Sequence, residues 1–353
     1  MLHGLDLLFF IPILLSFISI WAGYMIIMSQ LSTKRSSAKD FNKLTRYNIS
    51  CRINGQTYIN WVFSIGLVYW FYFICLKTHE VLLWSNHLHL SNSTFGFVLF
   101  LGFLSIAVQW CLKLFTKLEN NNLGGDYAVS ITQLCLYLPF LILANTALTL
   151  FFFLEAAAIL IFYNFISTRS LVLTKSNNDS AITKYFFNLL FFQFWTSFFS
   201  AALILYGIIN LYLFFGTTEW VYLNFLIPIV LSSGNSQSNL SILITFIVLL
   251  SGFWIKLGLA PFFSYKIEIY KGLPLTTIIF YSIIYFAVFS SAIFIFFGYY
   301  FTMALAALKV FNLFLCGFSI MLFLVIFDSQ ALRNFFAFSS ILTATNLILV
   351  LLA

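Results

Sequence analysis

The chain has 353 residues, 62% of them hydrophobic and 8% charged, with 47 phenylalanines against 16 glycines and a net charge of +7. Globular domains carry about 25% charged residues, so a mean hydropathy of +1.01 excludes an ordinary soluble domain. The abundance of Phe, Leu, Ile, Asn and Tyr matches an AT-rich organellar genome.

Apolar windows of about 20 residues, the length that crosses a roughly 30 Å hydrocarbon layer, recur along the chain. They fall at 6–29, 57–77, 95–116, 128–145, 147–167, 186–215, 239–263, 273–297, 302–327 and 334–352. They predict ten transmembrane helices and an all-α, polytopic membrane fold. The first run is longer than a signal-peptide core and lacks a basic flank and a small-residue cleavage site, so it is read as a retained helix. Glu119 to Asp126, with Gly124 and Gly125, sets a leading group of three helices, 1–125, apart from the rest. The segment 218–232 is apolar but short, polar-flanked and contains Pro228, which predicts an interfacial helix. If it spanned, the count would be eleven and the orientation after it would reverse.

The positive charge is unevenly placed. With the amino terminus outside, all of the 17 lysines and arginines except Lys77, Lys256 and Lys309 fall in inward loops, Lys184, Lys266, Lys271 and Arg333 among them. That bias follows the positive-inside rule and sets both termini outside. It also explains the basic loop at 31–56, so no nucleic-acid partner is expected.

No redox or metal site is legible. Cys51, Cys75, Cys111, Cys135 and Cys316 form no CxxC pair. His3, His79, His87 and His89 lie near helix ends or in one outward loop, which excludes axial haem ligation inside the membrane. There is no glycine-rich dinucleotide or phosphate motif. The expectation is that the chain binds no cofactor and no metal and has no redox catalytic residue.

Two charges lie deep in predicted spans: Glu155, in 147–167, and Lys256, in 239–263. An ionisable side chain at the centre of a membrane helix costs about 2.5–3.5 kcal/mol on insertion scales, so each is a functional candidate by default. Burial disfavours the charged form of both and proximity would restore it, so together they can carry a proton's worth of charge; Glu155 could equally be a neutral, hydrogen-bonded acid. Lys113, Lys117, Lys184 and Arg333 are near enough to helix ends to snorkel. Lys309 either lines a cavity or snorkels. Pro261 lacks an N–H and its ring clashes with the carbonyl of Leu257, and Gly258 adds backbone freedom, so the helix is expected to break within a turn of Lys256. Freed carbonyls are tolerated in a bilayer where they face protein or water, and broken helices recur at ion sites in transporters.

The stretch Trp254-Ile255-Lys256-Leu257-Gly258-Leu259-Ala260-Pro261-Phe262, continuing to Glu268 and Gly272-Leu273-Pro274-Leu275, resembles the most distinctive segment of NADH dehydrogenase subunit 2, an antiporter-like membrane subunit of respiratory complex I. Asn145 through Leu154-Glu155 resembles the family's glutamate-bearing helix. Ala181 to Tyr185 with Tyr206-Gly207 resembles the helix after it, and Arg333 to Ala337-Phe338-Ser339-Ser340-Ile341 a later motif. Over about 200 residues the four fall in the family's order.

The resemblance implies a proton-translocating subunit of NADH:ubiquinone oxidoreductase, driven by quinone reduction elsewhere, in the mitochondrial inner membrane with both termini on the intermembrane-space side. It implies two inverted five-helix repeats, each with a broken helix: the first at 126–300, with its break in 239–263, and the beginning of the second at 301–353. Glu155 and Lys256 would carry protons, Gly258 and Pro261 would make the break, and Lys184, Lys309 and Glu268 would be a secondary path. NADH, FMN, iron–sulfur clusters and ubiquinone are expected in partner subunits. Those partners would include subunit 4 and subunit 4L-like neighbours, accessory subunits and lipids. The chain departs from the family at Phe263, where a histidine is common, at Tyr265, where a tryptophan is, and at Phe286, where a second lysine would fall. It stops at Ala353, before the family's second broken helix, and a separate chain is expected to supply the remaining helices. The rival readings are a subunit of a cation/proton antiporter complex and a mainly structural membrane-arm subunit.

Overall fold

A computed structural model of the chain describes residues 81–107 and 131–146 in part, then 147–167, 180–232, 236–259, 262–273, five positions between 278 and 290, 309–327 and 332–352. The runs expected at 6–29 and 57–77, the loop 31–56, His3, His79 and Pro261 lie outside the described residues, as do all the cysteines but Cys316.

The described elements are a hairpin, β1 (Val81–Leu83) and β2 (Leu88–Leu90), and seven helices. The helices are α1 (Ala147–Ser167), α2 (Ser180–Phe215), α3 (Trp220–Ser232), α4 (Ser236–Leu257), α5 (Ser264–Gly272), α6 (Lys309–Phe327) and α7 (Leu332–Leu352). Three helical segments among the described residues are long and apolar enough to cross a membrane: Ala147–Ile166, Phe187–Phe215 and Leu240–Leu257.

Helix α1 contains neither Gly nor Pro, and its start is set by two threonines. The Thr149 N–H donates to Thr146 Oγ1 at 3.2 Å while the Thr146 N–H donates to Thr149 Oγ1 at 3.3 Å, a reciprocal capping arrangement. The hairpin rests on this end: the Asn145 N–H reaches the His87 carbonyl at 2.9 Å and Asn145 Nδ2 the Asn86 carbonyl at 2.8 Å. Its register pairs Val81 with Leu90 and Leu83 with Leu88, and it carries both described histidines.

Helix α2 has 36 residues, a length of about 54 Å at 1.5 Å per residue. It ends at Gly216, whose φ of +70° takes the chain out of the helix. The Ala147 N–H then donates to the Thr218 carbonyl at 2.9 Å and the Trp220 N–H to the Asn145 carbonyl at 3.1 Å, so α1 and α2 are antiparallel and tied at one end. Helix α4 runs antiparallel along α2. A Cβ at Gly207 would lie 2.5 Å from Leu249 Cγ, and one at Gly252 would lie 2.6 Å from Ile204 Cγ1, so two glycines let these helices meet closely.

That register returns the start of α4 to the end of α2 from which α3 departs. Helix α3 has 13 residues, about 20 Å, and connects two points at the same end of the bundle. At that length it is shorter than the three helical segments long enough to cross.

The long run expected at 239–263 is α4 as far as Leu257 and then an interruption, with α5 following from Ser264. Helix α5 packs on the N-terminal half of α2 and on α7, whose Ala337, Ile341 and Ala344 are fully buried. Phe263, in the interruption, meets Phe338 with ring centroids 6.4 Å apart.

Candidate functional site

The two charges singled out in the sequence meet. Glu155 is the ninth residue of α1 and Lys256 lies in the last turn of α4. Lys256 Nζ stands 2.5 Å from Glu155 Oε1, joining positions 101 apart in sequence. The pair is asymmetric: the lysine side chain is 3% exposed and the glutamate 30%. The ammonium also sits at the negative end of the α4 dipole, which favours a cation.

How α4 ends explains why the lysine is there. The last four carbonyls of a helix have no partner within it, and inside a bilayer each would be costly. Here all four are accounted for. The Leu259 N–H donates to the Trp254 carbonyl and the Gly258 N–H to that of Ile255, both at 3.1 Å, with Gly258 at φ +65°. This is the Schellman ending, which calls for glycine at the left-handed position. The Tyr265 hydroxyl lies between the carbonyls of Ile255 and Lys256, 2.9 Å from the latter. Lys266 Nζ donates to the Leu257 carbonyl at 3.2 Å. A Cβ on Gly258 would lie 2.9 Å from Lys266 Cδ and 3.0 Å from the Tyr265 hydroxyl, so the turn and the two capping side chains form one packed unit.

The helix stops at Leu257 through the Gly258 turn, within a turn of Lys256 as the sequence predicts. One sequence expectation changes. Lys266, counted with the inward loops, is 3% exposed inside α5 and points at the break. Its missed signal is periodicity: Tyr265, Lys266, Ile269 and Tyr270 are the buried face of α5, at the i, i+1, i+4, i+5 spacing of a helix stripe.

The other candidates lie elsewhere. Glu268 pairs with Lys271 at 2.9 Å on the outer face of α5. It borders a crevice of about 200 Å³ with Asn188, Leu189, Phe192, Tyr265 and Ile269. Lys184 lies in α2 and Lys309 opens α6, but their side chains are outside the described residues. Phe286, where the resemblance places a second lysine, packs half-buried against the core. Among the described residues no cluster of His, Cys, Asp or Glu could hold a metal.

No family model matches the chain. Over 83 residues it is 46% identical to an uncharacterized mitochondrial protein, ORF4, of Paramecium tetraurelia, a match covering 24% of this chain and 53% of that protein. Its fold is similar to a chain of respiratory complex I from Thermus thermophilus with bound aureothin, with a TM-score of 0.61 and 15% identity over 82% of this chain and 58% of that one. A chain of the membrane-bound sulfane sulfur reductase, an archaeal respiratory membrane complex, gives 0.67 and 14% over 99% and 64%. One from the Mrp complex of a Dietzia species gives 0.69 and 13% over 98% and 59%. The chain thus has the polytopic, helical fold of these membrane-complex chains, and it spans less than two thirds of each of the four proteins named.

Proposed function

We propose that the chain is a proton-translocating membrane-arm subunit of a respiratory NADH:ubiquinone oxidoreductase, of the subunit 2 type, in the mitochondrial inner membrane. The observation that carries this reading is the Lys256–Glu155 pair at the end of an interrupted helix. A lysine closed from solvent and a carboxyl with one open side form a relay in which the glutamate receives protons and the lysine passes them inward. The fold likeness to a complex I chain and the partial identity to a mitochondrial protein support the setting. NADH oxidation and quinone reduction belong to partner chains in this account, with subunit 4-like and 4L-like neighbours, accessory subunits and lipids around the chain. Lys184, Lys309 and Glu268 are secondary positions, and both termini face the intermembrane space.

The test is Glu155→Gln in the assembled complex, reconstituted in sealed vesicles. NADH-driven proton movement should fall while the subunit stays in the complex; unchanged movement would reduce the chain to a structural role. The likeness to the Mrp complex favours a second reading, a cation/proton antiporter subunit. Sodium-dependent, NADH-independent proton movement would select it.

A further inference from the structure

The break holds a second buried lysine that the relay does not use. Lys266 is 3% exposed, its stem lies where a Cβ on Gly258 would be, and its Nζ donates to the carbonyl of Leu257, the residue after Lys256. Among the described residues the ion pairs are Lys256–Glu155 and Lys271–Glu268. Among the described residues, the ion pairs thus give Lys256 a carboxylate and Lys266 none. A buried ammonium without a counter-charge is poorly compensated. A neutral amine can still donate a hydrogen bond to a carbonyl, so Lys266 caps Leu257 in either charge state and the break survives the change.

We propose that Lys266 is a further proton-carrying residue, placed beyond the break, which exchanges a proton with Lys256. The proposal rests on the proton-translocation reading. In the step, an N–H bond of the Lys256 ammonium breaks and one forms on the neutral Lys266 amine, through bridging water. Lys256 is left as an amine beside the Glu155 carboxylate, and the charge of the set is unchanged. The next proton, arriving through Glu155, restores the Lys256 ammonium, and Lys266, buried without a carboxylate of its own among the described residues, releases its proton onward.

Two variants of the assembled complex separate carrying from capping. Lys266→Gln keeps a donor for Leu257 and carries no proton; Lys266→Arg keeps donor and charge but does not release a proton. Both should assemble, and the protons moved per electron should fall as far as in Glu155→Gln. If Lys266→Gln moves protons at the unaltered ratio while Glu155→Gln does not, Lys266 only positions the break, and the proposal fails with the function intact. Failure of both variants to assemble assigns Lys266 to holding the helix ends and likewise overturns it. Full movement in Glu155→Gln itself would remove the underlying reading.

Discussion

Two lysine–glutamate pairs among the described residues share the same chemistry in opposite settings. Lys271–Glu268 is local, three residues apart on α5, with side chains 42% and 47% exposed. Lys256–Glu155 joins two helices, with the lysine 3% exposed. An exposed pair contributes about 0–1 kcal/mol. Breaking a buried one by removing a partner costs about 3–5 kcal/mol, because a charge is left uncompensated. The buried pair is thus expensive to keep unless charge at that point is used, and it stands where α4 ends and side chains from α5 replace backbone hydrogen bonds.

That contrast can be broken at four points. Lys256→Met should give the largest effect, loss of proton movement with a stability cost of up to about 3 kcal/mol, since Glu155 keeps one open side through which to be hydrated; thermal unfolding of the purified complex measures the second part. Gly258→Ala should come next. A left-handed non-glycine residue costs about 1–2 kcal/mol, and the added Cβ would press on Lys266 and Tyr265, so the melting temperature should drop further than for alanine at the open position Gly96. Tyr265→Phe removes the hydroxyl donor of the Lys256 carbonyl, while Ile255 keeps the Gly258 N–H, and should cost about 1–3 kcal/mol, read as faster hydrogen exchange in the last turn of α4. Lys271→Ala should be smallest, at most about 1 kcal/mol, with proton movement unchanged.

The pair was legible because both residues interrupt apolar runs whose every other position is cheap in a bilayer. Sequence alone could nominate Glu155 and Lys256 by cost and type, but their contact depends on two helices meeting, which Gly207 and Gly252 permit between α2 and α4 and which α1 extends. The spans of α1 and α7 were legible to within two residues because each is apolar and free of Gly and Pro. The interruption was legible as a place, through Gly258 and Pro261 together. What the sequence could not show is how the stop is made at Gly258, whose left-handed turn satisfies two carbonyls at once. Lys266 was missed. The segment after the break is polar on average, so its charges read as a loop, whereas Ser264, Glu268 and Lys271 lie on one face of a short helix and Lys266 on the other.

If charge moves through the Lys256–Glu155 pair, removing the lysine must lower the proton yield. The direct measurement is the number of protons moved per electron by the intact complex carrying Lys256→Met in sealed vesicles, with the presence of the subunit verified in the same preparation. The account predicts a clear fall from the unaltered ratio; an unchanged ratio in a fully assembled complex would contradict it.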